Sequence, residues 1–119
     1  MKTVINPASD SDLRIRSEQD GPKSRADLSG RINIDSSPEF RDSLLRMLRA
    51  PDCQSLEVSF CEVAYIDTSG LAVLVDVLKS ARHLGKKLEL SGLQERPRYL
   101  LEVTGLLRFF AEARSPCDK

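Results

Sequence analysis

The sequence lacks the residue clusters that build most metal sites. It has one histidine and three cysteines, Cys53, Cys61 and Cys117, and no two cysteines form a CxxC pair. Zinc sites need four such ligands at characteristic spacings, so we expect no metal. An odd number of scattered cysteines is typical of free thiols in a reducing compartment. We therefore expect three free thiols and a cytoplasmic protein.

An excess of charge of one sign is also missing. Lys and Arg together number 18, as do Asp and Glu, so the net charge is zero. Nucleic-acid binders usually carry a basic excess, and so do proteins held electrostatically on anionic membranes. No apolar run approaches the roughly 20 residues that span a bilayer. Residues 1–12 lack the apolar segment of a secretory signal. We expect no nucleic-acid partner and no membrane insertion.

Signatures of catalysis and nucleotide binding are absent as well. The sequence contains neither GxxxxGK[ST] nor GxGxxG, so no nucleotide-binding loop can be recognised. No readable Ser or Asp constellation surrounds His83, and its place near a helix end is typical of a surface residue. We expect a protein that is not an enzyme and needs no cofactor.

Alternating and helical patterns divide the chain into a compact series of elements. Residues 1–11 are polar and predict a flexible tail, residues 12–113 a single domain, and residues 114–119 a second tail. The order within the domain is ββαβαβαβ. Strands that alternate with helices favour parallel pairing, and the short first connection favours an antiparallel start. The pattern predicts an α/β fold with a mixed, mostly parallel sheet of four to five strands.

Further sequence patterns predict the bounds of the helices and the position of the last strand. Ser36 and Glu39 fit a capping box at the start of the first helix. The second helix is expected from about Ser69 to His83, with Gly85 past its last turn. The remaining expectations are a third helix over residues 96–104 and a last strand near residues 107–110.

One turn carries the functional signal. An apolar strand ends at Ile66, and the run Asp67-Thr68-Ser69-Gly70 leads directly into an apolar helix. Such polar residues often serve only to cap a helix, a role worth about 1 kcal/mol. However, open α/β sheets bind ligands and partners at the carboxyl ends of their parallel strands. The pattern therefore leaves two interpretations open, a plain cap or a binding surface.

The same turn, continued to Leu71, resembles the signature of STAS domains. Within that family it is most similar to the bacterial anti-sigma factor antagonists, whose pattern is Asp-Ser-[Ser/Thr]-Gly-Leu. The resemblance extends from about Leu13 to Phe110. Its other segments are Leu28-Ser29-Gly30-Arg31-Ile32, Glu39-Phe40-Arg41-x-x-Leu44, Leu88-x-Leu90-x-Gly92-Leu93 and Val103-x-Gly105-Leu106.

The resemblance implies a signalling function by partner switching. In that family the unphosphorylated domain binds a serine kinase that is also an anti-sigma factor, and the target of that factor is released. The kinase uses its own ATP to phosphorylate the turn, the complex dissociates, and a phosphatase restores the domain. Carried over by position, Ser69 is the phosphoacceptor and Thr68 the second choice. The implied partner surface comprises Asn33, Asp67, Thr68, Ser69, Gly70, Leu71, Ala72 and Val75.

One residue departs from the family pattern, and one alternative function remains open. Where the family typically has an Asp in the loop after the second strand, this sequence has Asn33, which keeps hydrogen-bonding capacity but carries no charge. We therefore expect milder repulsion of a phosphate on Ser69. The alternative function is a STAS subunit of an ABC-type lipid transporter, which would bind its ATPase without phospho-regulation.

Overall fold

The computed structural model describes residues 2–5, 12–114 and 117. Its strands are β1 (Lys2–Ile5), β2 (Leu13–Asp20), β3 (Lys23–Ile32), β4 (Ser55–Ile66), β5 (Lys87–Ser91) and β6 (Ala111–Glu112). Its helices are α1 (Ser37–Arg49), α2 (Thr68–Leu84) and α3 (Glu95–Val103), and a 3-10 turn spans Leu107–Phe109.

The strands form one mixed sheet in the order β1-β2-β3-β4-β5-β6. The pairs β1–β2 and β2–β3 are antiparallel, and the pairs from β3 to β6 are parallel. Helices α1 and α2 pack against each other and the sheet, and α3 packs against β4. The α/β fold class predicted from the sequence is confirmed.

The apolar residues of alternate strand positions form the core. Leu56, Val58 and Phe60 of β4 are completely buried, together with Phe40 and Leu44 of α1. Burying a side chain of this size stabilises the fold by about 1.5–3 kcal/mol.

The helices start and end where the pattern predicted to within a residue, and Gly85 follows α2 with a φ of 68°. The core thereby fixes where β4 ends and α2 begins.

The sheet is wider than the sequence pattern predicted. It has six strands in the described ranges, because two short strands extend its edges. Strand β1 lies in the segment assigned to the N-terminal tail, where it pairs along its four residues with β2. The expected last strand is displaced: Leu107–Phe109 form the 3-10 turn and the strand follows at Ala111–Glu112. The rest of the two predicted tails, except Arg114 and Cys117, lies outside the described residues.

Candidate functional site

Asp67 builds the turn between β4 and α2. It is the N-cap residue of α2 and has an extended backbone, with φ −112° and ψ −171°. Its Oδ1 atom accepts hydrogen bonds from the Ser69 N–H at 2.9 Å and from the Gly70 N–H at 3.4 Å. The carboxylate therefore satisfies two of the amide groups that a helix start leaves without partners.

The Ser69 side chain is held by the same carboxylate. Its hydroxyl donates to Asp67 Oδ1 at 2.5 Å, and the residue is half-buried. Thr68, the first residue of α2, is exposed beside it. The turn thus orients the Ser69 hydroxyl at the helix N-terminus with a negative group already in contact. Any group added to Ser69 Oγ removes this hydrogen bond.

The loop that follows β3 lies beside the turn. Strands β3 and β4 end in register, with Ile32 opposite Ile66, and the Asp67 N–H donates to the Ile32 carbonyl at 3.1 Å. Asn33 is the next residue of this loop and is half-buried. The structure therefore brings the Asn33 loop and the Asp67 turn to the same edge of the sheet.

Asn33 shapes its own loop. Its Oδ1 accepts from the N–H groups of Asp35 at 3.0 Å and Ser36 at 3.1 Å. Ser36 is buried, and its hydroxyl donates to the Arg31 carbonyl at 3.0 Å and accepts from the Asn33 N–H at 2.9 Å. The predicted capping box is therefore wrong: Ser36 is the N-cap of α1 but makes no side-chain cap bond, because the loop engages its hydroxyl.

Gly70 and Leu71 lie under the surface rather than on it. Both are buried. A Cβ atom on Gly70 would lie 2.6 Å from Ile32 Cγ2 and 2.6 Å from Ile66 Cγ1. Glycine is therefore needed here so that α2 can approach the ends of β3 and β4. Gly70 and Leu71, which the resemblance placed on the partner surface, are therefore buried beneath it, since the protein's own core occupies the space next to Gly70.

The exposed and half-buried members of the predicted set lie at the strand ends and along α2. Ala72 is exposed and Val75 half-buried on α2, while Asn33 and Asp67 to Ser69 provide the edge. Ile34, next to Asn33, is 74% exposed, which is unusual for a large apolar residue. Ile34 was not predicted as part of the surface, because the sequence shows only an isoleucine between two polar loop residues.

A second missed feature adjoins the turn. Two guanidinium groups lie over the ring of Tyr65, with Arg31 4.4 Å and Arg96 5.5 Å from its centroid. Arg31 and Tyr65 are opposite each other in the β3–β4 register, and Arg96 is on α3. Such cation–π contacts link α3 to the strand ends that carry the turn. Sequence spacing could not pair Tyr65 with a residue 31 positions away.

The prediction of three free thiols is wrong for two of them. Cys61 in β4 and Cys117 form a disulfide across 56 positions, with their Cα atoms 5.5 Å apart. Cys53 is buried and free. The pairing depends on where the end of the chain returns to the sheet, which the spacing of the cysteines does not show.

The described residues contain no group of three or more His, Cys, Asp or Glu placed to hold a metal ion. Within the same residues, no helix is long and apolar enough to cross a membrane. Two clefts of about 510 and 210 Å³ are lined by residues of α1 and of β2 to β4, and neither includes a residue of the turn.

Comparison with known proteins gives consistent matches. The family model described as "Mlab, STAS domain" matches residues 15–111. The anti-sigma-B factor antagonist of Bacillus subtilis is 32% identical over 82 residues, which cover 69% of this chain and 73% of that protein.

The fold is shared with solved antagonists. An anti-sigma factor antagonist from Mycobacterium paratuberculosis superposes with a TM-score of 0.76 at 16% identity, covering 87% of this chain and 86% of that one. Unphosphorylated SpoIIAA superposes with a TM-score of 0.73 at 13% identity, covering 85% and 89%. At such identities the two structures establish the fold alone.

Proposed function

The chain belongs to the STAS domain family and matches anti-sigma factor antagonists, and from this we propose that it acts by partner switching. The unphosphorylated protein binds a serine kinase that is also an anti-sigma factor and thereby frees the target of that factor. Phosphorylation of Ser69 by the kinase dissociates the complex, and a phosphatase reverses the modification. The protein is a regulator in the cytoplasm and not an enzyme.

The observation that carries this proposal is the contact between Ser69 and Asp67. The hydroxyl donates to the carboxylate at 2.5 Å, and the carboxylate also holds two amide groups of α2. A phosphate brings about −1.5 to −2 charges at pH 7 and cannot donate in place of the hydroxyl. It must either compete with Asp67 for the amide groups or point outward into the partner. In both cases the surface of the turn changes in charge and shape.

The partner surface follows from which side chains reach the exterior. We assign direct contact to the Asn33 loop, to Asp67, Thr68 and Ser69, and to the outer face of α2. That face is marked by Ala72 and Val75, and Ile34 extends the surface with an apolar contact. Gly70 and Leu71 support the turn from beneath. Desolvating a phosphoserine within such a surface without a cation opposite would cost several kcal/mol.

Phosphosite mapping tests this function. We expect incubation with ATP and the cognate kinase to add one phosphate, located on Ser69 by mass spectrometry of the peptide that spans residues 67–70. Ser69→Ala should remain unmodified, whereas Thr68→Val should be modified like the wild type. Modification of Thr68 in place of Ser69 would contradict the site assignment. Tight binding to a transporter ATPase, with no phosphorylation by any candidate kinase, would support the transporter alternative.

Asn33→Asp is expected to increase the difference in partner affinity between the unphosphorylated and the phosphorylated protein. The variant adds a carboxylate beside the turn, so a phosphate on Ser69 meets one more negative charge, which should weaken binding of the phosphorylated form roughly fivefold. An Asp oxygen can still accept from the Asp35 and Ser36 amides, so the loop should keep its shape. The measurement is the affinity for the partner of both phosphorylation states of both proteins. Equal affinities of the two phosphorylated proteins would refute the expected role of the missing charge.

A further inference from the structure

The C-terminal part of the domain packs on the core through α3 and Phe110, but its last strand, β6, is attached to the sheet by few contacts. This C-terminal unit comprises α3, the 3-10 turn, β6 and Cys117. Strand β6 has two residues and pairs with β5 only through Ala111 and Glu112. The Ala113 N–H donates to the Leu90 carbonyl at 2.7 Å. Glu112 forms two exposed hydrogen bonds with Arg98 of α3, at 2.7 and 3.2 Å. Short edge strands held by such contacts open readily.

The disulfide joins this unit to the middle of the sheet. Cys61 lies in β4, at the position where the β3–β4 register shifts. Gln94, just before α3, donates to the Cys61 carbonyl at 2.5 Å, so the start of the unit and its end both meet β4 at one residue. Cys117 is exposed and Cys61 is half-buried. The bond therefore closes a loop that contains the end of β4, the Asp67 turn, α2, β5 and the whole C-terminal unit.

Gly92 forms a cradle for the two sulfur atoms. Its φ is +63°, and a Cβ atom on it would overlap Cys61 Sγ and lie 2.8 Å from Cys117 Sγ. Any other residue would occupy the space of the disulfide. The sequence thus provides both the cysteine pair and a glycine that leaves space for the bonded sulfur atoms.

We propose that Cys61 and Cys117 are a redox-modified pair that latches the β6 end of the C-terminal unit onto the sheet when oxidised and releases that end when reduced. Two thiols react with a low-molecular-weight disulfide such as oxidised glutathione. The Cys61–Cys117 bond forms, the disulfide of the oxidant breaks and accepts the electron pair, and its two halves leave as thiols with the two protons. A dithiol reverses the exchange. Buried Cys53 takes no part. This property is separate from partner switching at Ser69.

The test compares oxidised and reduced full-length protein. After treatment with oxidised glutathione, alkylation in denaturant should add one group, on Cys53, and a digest should contain the linked Cys61–Cys117 peptides. After dithiothreitol all three cysteines should be alkylated. Oxidation should raise the melting temperature on the order of 10 °C because the bond closes a long loop. It should also slow hydrogen exchange in β6.

Cys117→Ser is the control, and it should show neither the temperature shift nor the change in exchange under oxidant. Three alkylated cysteines after oxidation, a disulfide that contains Cys53, or identical hydrogen exchange in the two redox states would each overturn the latch.

The cradle provides a second, independent test with a matched variant. Gly92→Ala should remain unpaired under oxidised glutathione because its methyl group occupies the place of the sulfur atoms. Gly21→Ala introduces the same strain at a nearly equal φ of +61°, with no atom within 4 Å of the added methyl group. It should therefore oxidise like the wild type. Equal oxidation of the two variants would overturn the assignment of Gly92 as the cradle.

Discussion

Ser69→Asp is expected to weaken binding of the anti-sigma partner at least about 100-fold, whereas Ser69→Ala should bind within about threefold of the wild type. The Asp variant places a second carboxylate next to Asp67 and buries it in the interface. The Ala variant loses the hydroxyl but leaves the two amide groups of α2 on Asp67 Oδ1. Titration calorimetry with the partner and a non-hydrolysable ATP analogue measures both affinities.

Thr68→Asp is the matched control for this prediction. It adds the same charge one residue earlier, on an exposed side chain that the structure does not pair with Asp67 Oδ1. We expect a smaller loss than for Ser69→Asp. If Ser69→Asp bound like the wild type with an unchanged melting temperature, the charge at this position could not be the switch. In the presence of kinase and ATP, Ser69→Ala should stay bound throughout.

Gly70→Val is expected to lower the free energy of unfolding by about 3 kcal/mol, because the added atoms have no space. The added Cβ atom alone would lie 2.6 Å from Ile32 Cγ2 and from Ile66 Cγ1. Helix α2 would therefore have to move away from the strand ends. The displaced helix would take Asp67 and Ser69 with it. Urea denaturation followed by circular dichroism measures the change in stability.

Ala72→Val is the control for the added volume. It introduces the same side chain two residues later, on the exposed face of α2. We expect a change in the free energy of unfolding within about 0.5 kcal/mol. A Gly70→Val variant as stable as Ala72→Val would show that the close approach of α2 to the strands is not what requires glycine.

Local patterns in the sequence predicted much of the architecture. The α2 pattern placed the helix at residues 69–83, and the structure has Thr68–Leu84 followed by Gly85 in a left-handed conformation. Such a prediction succeeds because helical periodicity and a terminating glycine are encoded within a few residues. The turn at Asp67 was found for the same reason, since a strand, a cap and a helix follow one another directly.

Features that depend on distant residues were missed. Strand β1 is defined by its backbone pairing with β2, and β6 by its pairing with β5, so their own short sequences contain little signal. The Cys61–Cys117 bond depends on the return of the chain to the sheet. Gly70 was placed on the partner surface, but it is buried because the ends of two strands converge on it, and local sequence does not show that convergence. Tertiary context decides such positions.

The affinity of the phosphorylated protein for its partner tests the central claim most directly. Wild-type protein carrying one phosphate on Ser69, verified by mass spectrometry, would be titrated against the partner beside the unphosphorylated protein. We expect phosphorylation to weaken binding at least about 100-fold and phosphatase treatment to restore it. Equal affinity of the two forms would contradict partner switching at Ser69.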